Sequence, residues 1–154
     1  MSSVSPSTRR LANGVKQALR DASLQLALLN HQIGTRLKLR DADFDCLNLI
    51  SRHGPLGPGA LAKLAGLHPA TMTGVVDRLE KAGFLTRDRD PGDRRAVVLR
   101  SSPERGREVL GLYRGMSDLM DEVCAGYTPE QLEVIADFLR RTADAGRDAT
   151  ARLT

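Results

Sequence analysis

The sequence predicts a mainly α chain of α+β class: six helices, one small β-hairpin wing and a helical dimerisation arm. Three observations predict it. Apolar residues recur at helical spacing along most of the 154 residues. The period changes only between Phe84 and Arg100, where two short strand-like runs flank the turn residues Asp90-Pro91-Gly92-Asp93. Aromatics are scarce, with three Phe, two Tyr and no Trp, so the core is built from Leu, Val, Ile, Ala and Met, which suits packed helices.

Each element follows from local chemistry. Leu11, Val15, Ala18, Leu19, Ala22, Leu26, Leu29, Ile33 and Leu37 form the stripe of a long first helix. Leu24 and Leu28 lie off that stripe and ask for a second buried face, which a partner subunit would supply. The Ser-rich opening, residues 1–10, is expected to fray. Asp41 suits the N-cap of a second helix over Asp43–Arg52, with Phe44, Leu47 and Ile50 inward. Gly57-Pro58 starts a short third helix burying Leu61, Leu64 and Ala65, and Gly66 stops it. His68-Pro69 starts a fourth, with Met72, Val75, Val76 and Leu79 on one face and Gly83 at its C-terminus. Phe84–Arg87 and Ala96–Arg100 read as the two strands.

Pro103 opens a fifth helix with a heptad-like seam of Val109, Leu112, Met116, Leu119 and Val123. Thr128-Pro129-Glu130-Gln131 is a capping box for a sixth. That helix is expected to bury Leu132, Ile135 and Leu139 and to carry Val134 and Phe138 as a second stripe, with its polar end fraying after Ala145. The organisation expected is an N-terminal dimerisation helix over 1–38, a central lobe over 39–102, and C-terminal helices over 103–148 completing the arm.

Charge is segregated. The net charge is +4, and residues 87–107 alone hold seven Arg against Asp88, Asp90, Asp93 and Glu104. Residues 116–137 carry six acids and no Lys or Arg. One basic surface and one acidic end let a chain dock on phosphate while the rest stays clear. No apolar run is long enough to span a bilayer, so no membrane partner is expected. Cys46 and Cys124 form no C-x-x-C pair, and a reducing cytoplasm is the simplest location.

The short helix at 59–65, the tight turn at 66–68 and the helix at 69–82 make a helix-turn-helix, and the basic hairpin behind it makes a wing. The second helix shows Ala70, Thr71, Thr73, Gly74 and Arg78 on the side opposite its apolar face. Small and hydroxyl side chains let such a helix enter the major groove of duplex DNA. Lys63 is placed for phosphate, the hairpin tip can reach an adjacent minor groove, and Arg89, Arg94 and Arg95 are candidate DNA contacts.

The run Leu61 to Arg87, with Val76-Asp77-Arg78-Leu79-Glu80-Lys81-Ala82-Gly83 at its centre, resembles the MarR (multiple antibiotic resistance regulator) family. So does the wing Asp90-Pro91-Gly92-Asp93-Arg94-Arg95. The order of elements matches across nearly the whole chain. The resemblance implies a homodimeric transcription regulator, a repressor more often than an activator, on a near-palindromic operator. It implies that Arg95 enters the minor groove with Asp93 pairing to it and fixing its direction, that Arg94 lies on phosphate, and that Ala70, Thr71, Thr73 and Gly74 face bases. It further implies a small lipophilic or aromatic effector between arm and lobe, lined here by Leu29, Ile33, Phe44, Leu47, Leu112 and Met116. Two places depart from the family. Arg100-Ser101-Ser102-Pro103 replaces the common Leu-Thr before the fifth helix, and Gly74 stands where a longer polar residue is frequent.

Other chemistries find little purchase. No phosphate-cradling Gly loop, nucleophile elbow or H-E-x-x-H is present, so no enzyme is expected. His31, His53 and His68 are isolated, so neither a metal nor another cofactor is expected. Two alternatives remain: a winged-helix protein-interaction module without DNA binding, and a thiol redox sensor using Cys46 and Cys124.

Overall fold

The computed structural model describes residues 5–153 of the chain. In chain order these form α1 (Pro6–Arg36), α2 (Asp41–His53), α3 (Pro58–Ala65), α4 (Pro69–Lys81), β1 (Leu85–Arg89), β2 (Val97–Ser101), α5 (Pro103–Cys124) and α6 (Pro129–Ala151). Six helices and a two-stranded antiparallel hairpin match the predicted class. The chain separates after Asp41 into two compact units.

The first unit is essentially α1. The Ser5 hydroxyl accepts the Thr8 N–H at 3.2 Å, and Pro6 fills the first turn, where a missing N–H costs nothing. The helix therefore starts five residues before the first apolar position. The expected fraying of residues 5–10 is corrected; residues 1–4 of that expectation lie outside the described ones. At the other end Leu39 N–H reaches Gly34 O at 2.8 Å over Lys38, whose φ is 58°. Ile33, Gly34 and Leu37 are buried, whereas Leu11, Val15, Leu24, Leu26 and Leu28 are exposed. Asp41 is the first helical residue of α2 rather than its cap, and its carboxylate faces His31 Nδ1 at 2.8 Å.

The second unit has one dense core. Phe44, Cys46, Leu47 and Ile50 of α2, Leu61 and Ala62 of α3, and Met72, Val75, Val76 and Leu79 of α4 are buried together with Phe84, Leu85 and Leu99 of the hairpin region. Each fully buried large side chain contributes about 1.5–3 kcal/mol, enough to fix the placement of α4. Leu64 and Ala65 are only half-buried and Ala62 takes their expected place, because α3 turns its 61–62 side to α4. Gly66 ends α3 in the left-handed conformation at φ 64°, which a side chain would strain. The strands run one to two residues later than the sequence predicts, with Leu85 opposite Ser101 and Arg89 opposite Val97. Leu56 extends the sheet by a bridge to Leu99, with N–H···O bonds of 3.3 and 2.8 Å.

Both α5 and α6 are capped, α6 by the box its sequence predicts and α5 by a serine the sequence reading did not name. Ser102 accepts the Arg105 N–H, and the Thr128–Gln131 capping box is complete. Their burial is not as predicted. Val109 is the one buried residue of α5, and α6 has none. Leu139 is exposed and Leu132 and Ile135 are half-buried, so their expected burial is corrected for the single chain. Fraying after Ala145 is also corrected: α6 runs to Ala151 without an apolar stripe, and the Thr150 hydroxyl donates to Gly146 O at 3.0 Å in its last turns.

Candidate nucleic-acid interface

The helix-turn-helix is set by its caps. His68 precedes Pro69, and its Nδ1 accepts the Ala70 N–H at 3.2 Å, so the imidazole caps α4 rather than merely filling a turn. Met72, Val75, Val76 and Leu79 then point into the core. The opposite side leaves Ala70, Thr71 and Thr73 exposed and Gly74 half-buried. The Thr73 hydroxyl donates back to Pro69 O at 3.2 Å, which leaves its oxygen outward as an acceptor. Lys63 is exposed on α3.

The wing tip is built by two aspartates. Asp90 Oδ1 accepts the Gly92 N–H at 2.8 Å, and Asp90 O accepts the Asp93 N–H at 3.2 Å. Asp93 Oδ1 accepts the backbone N–H of Arg95 at 3.0 Å, and Asp93 O accepts the Ala96 N–H. Asp93 thus orients Arg95 through its main chain, where the sequence reading had the two side chains paired. These local turns satisfy the loop backbone and hold the side chains of Arg94 and Arg95 outward, both exposed.

Partnering sorts the basic residues. Arg87 pairs with Asp77 and Glu80, Arg100 pairs with Asp88 at 3.0 Å, and Arg105 pairs with Glu108. Arg105 also donates to Ala82 O at 3.2 Å and lies 4.1 Å over the Phe84 ring, tying α5 to the end of α4. Arg89, Arg94 and Arg95 make no ion pair among the described residues. Within the hairpin, residues 85–101, the uncompensated cations are therefore Arg89, Arg94 and Arg95.

Arg78 is held differently. Its Nε and Nη2 donate to the two carboxylate oxygens of Asp43, each at 2.8 Å. That bidentate bond, opposed by desolvation and aided by the charges of Asp43 and Asp77, pushes the Arg78 guanidinium further up from its ordinary value. Asp43 is 2% exposed and Arg78 40%. The sequence reading missed Asp43. A signal existed: Asp43 shares the face of Leu47 and Ile50 at i+4 and i+7, an acid on an apolar stripe.

Cys46 lacks the conditions of a reactive thiol. Burial, and then the charges of Asp43 and Asp45, push it up to about 11, so it stays protonated near neutrality. Cys124 is half-buried at the end of α5. Of the residues expected to line an effector site, Phe44 and Leu47 are buried, with Phe44 stacked on Tyr113 at 6.4 Å. Met116 is half-buried and Leu112 exposed in the same unit; Leu29 is half-buried and Ile33 buried in α1. Among the described residues no cluster of three or more His, Cys, Asp or Glu could hold a metal, and no helix is long and apolar enough to cross a membrane.

A capped helix-turn-helix followed by a ribbon with unpaired guanidinium groups defines a winged-helix DNA-binding protein. Residues 39–97 match the model of the MarR family. The uncharacterized HTH-type transcriptional regulator YcgE of Bacillus subtilis (strain 168) is 33% identical over 137 residues, 89% of each chain. Among solved structures, the transcriptional regulator Tm0710 from Thermotoga maritima superposes with a TM-score of 0.64 at 29% identity, over 86% of this chain and 94% of that one. Bordetella bronchiseptica BpsR, whose DNA binding is regulated by 6-hydroxynicotinic acid, gives 0.54 at 25%, over 84% and 93%. The chain belongs to the MarR family of DNA-binding transcription regulators.

Proposed function

We propose that this regulator works in the cytoplasm as a homodimeric repressor on a near-palindromic operator, and that a small lipophilic or aromatic effector releases it. The observation that carries the dimer is the apolar surface left wet on α1, α5 and α6. Leu11, Leu24, Leu119, Val123 and Val134 are each more than half exposed, on helices that bury almost nothing in one chain. Exposed apolar area of that extent is the mark of an interface. Two copies related by a two-fold axis would place two α4 helices in successive major grooves, about 34 Å apart. Thr71, Thr73, Ala70 and Gly74 would meet bases, Lys63 and Arg94 phosphate, and Arg95 and Arg89 the minor groove. Effector control is supported by the likeness to BpsR; an effector acts here only if it binds one spacing of the two α4 helices better than another.

The test is selection of bound sequences from random duplex DNA by the purified protein, with its mass measured by light scattering. A particle of two chains and enrichment of an inverted repeat are expected. In that repeat, Arg95→Ala should cut affinity severely without changing mass or melting. A single-chain particle, or no enrichment even in dilute buffer, would overturn the reading.

A further inference from the structure

We infer that Asp43, although it cannot touch DNA, sets operator specificity by holding the Arg78 guanidinium in one orientation above Gly74, so that Arg78 meets a base edge already aimed. The inference rests on the proposal that α4 faces a duplex.

Four observations carry it. A carboxylate that is 2% exposed is retained at a cost in solvation, and a hydrophobic residue beside Phe44 and Leu47 would serve packing as well or better. A buried ion pair is therefore weak evidence of a purely stabilising role for Asp43. Second, both carboxylate oxygens bind the guanidinium, through Nε and Nη2, which fixes its plane as well as its position. Third, Gly74 lies one turn earlier on α4, and a Cβ there would sit 3.1 Å from Arg78 Nη1. The guanidinium lies on the bare backbone of Gly74, at a mid-helix position where glycine weakens the helix relative to alanine. A side chain there would push the guanidinium from this position by a few tenths of an ångström.

Fourth, Nη1 is left without a partner among the described residues while the side chain is 40% exposed. Thr71, Gly74 and Arg78 fall at i, i+3 and i+7, one stripe of α4. The stripe offers a hydroxyl, a gap and a fixed cationic donor. A rigid guanidinium discriminates between base edges because it cannot swing to satisfy another acceptor, which makes the positioned donor selective rather than merely attractive.

The experiment measures affinity for the selected operator and for a scrambled duplex of equal length, using the full chain. Asp43→Asn, nearly isosteric and neutral, is expected to lower the operator-to-scrambled ratio about tenfold while the scrambled affinity stays unchanged. Arg78→Met is expected to lower the ratio by a similar factor. Asp43→Leu added to Arg78→Met, a pair that keeps apolar packing in place of the ions, is expected to add nothing further. An unchanged ratio in Asp43→Asn would overturn the inference. So would equal losses on both duplexes, which would mark Arg78 as a phosphate contact, or a second loss from Asp43→Leu in the Arg78→Met background. A wild-type chain without preference for any duplex would overturn the operator proposal itself, a failure visible before any variant is made.

Discussion

Replacing Arg94 and Arg100 separately by Ala asks whether the unpaired cations of the wing are the ones that meet DNA. Both are exposed arginines of the wing region, but Arg100 is already compensated by Asp88 at 3.0 Å, and Arg94 has no ion pair. Each phosphate neutralised contributes about 0.9 to the slope of log affinity against log salt. Two wings per dimer make the expected change for Arg94→Ala about 1.8 slope units. Between about 50 and about 200 mM salt, that difference makes the variant's deficit about twelvefold larger at the low end. Arg100→Ala removes only a surface pair, worth up to about 1 kcal/mol, and should leave the slope close to wild type. Fluorescence anisotropy of a labelled operator across a KCl series reads both slopes. An Arg94→Ala slope equal to wild type, or an Arg100→Ala slope lowered by as much, would refute the sorting of cations by their partners.

Two further outcomes concern the frame beneath that surface. Leu79, fully buried on α4, should cost about 3–4 kcal/mol when truncated to Ala, measured by urea unfolding; a loss under about 1 kcal/mol would mean that α4 is not seated in the core as described. Cys46 sits at about 11 when folded against an ordinary 9.0, so its protonated form stabilises the fold fully below pH 9. That contribution, about 3 kcal/mol, is lost as pH rises through 11. The stability gap between wild type and Cys46→Ala should therefore change by about 2 kcal/mol between pH 8 and pH 11, and parallel curves would show that the thiol is not buried.

The elements were legible where single residues decide them. Pro58, Pro69, Pro103 and Pro129 each mark a first turn, Gly66 and Gly83 take positive φ, and the Asp90–Asp93 run makes the turn its composition promises. Boundaries set by something other than apolar period were not. Ser5 starts α1 ahead of Leu11, and the Ala-rich end of α6 continues with no stripe to announce it. At the site, the wing and the exposed side of α4 followed from pattern and resemblance. What pattern could not give was partnering. Asp43 and Arg78 are 35 residues apart, and Arg100 is neutralised across a strand pair. A list of basic residues therefore overstated how many cations are uncompensated.

The two aspartates at the hairpin tip have a consequence for recognition. Their carboxylates hold main-chain N–H groups within the same turn, so the loop is ordered before any ligand arrives. A floppy loop would surrender backbone entropy on docking, about 1–2 kcal/mol for each residue newly fixed. Here that ordering belongs to folding rather than to complex formation, and more of the attraction between guanidinium and nucleic acid survives as affinity.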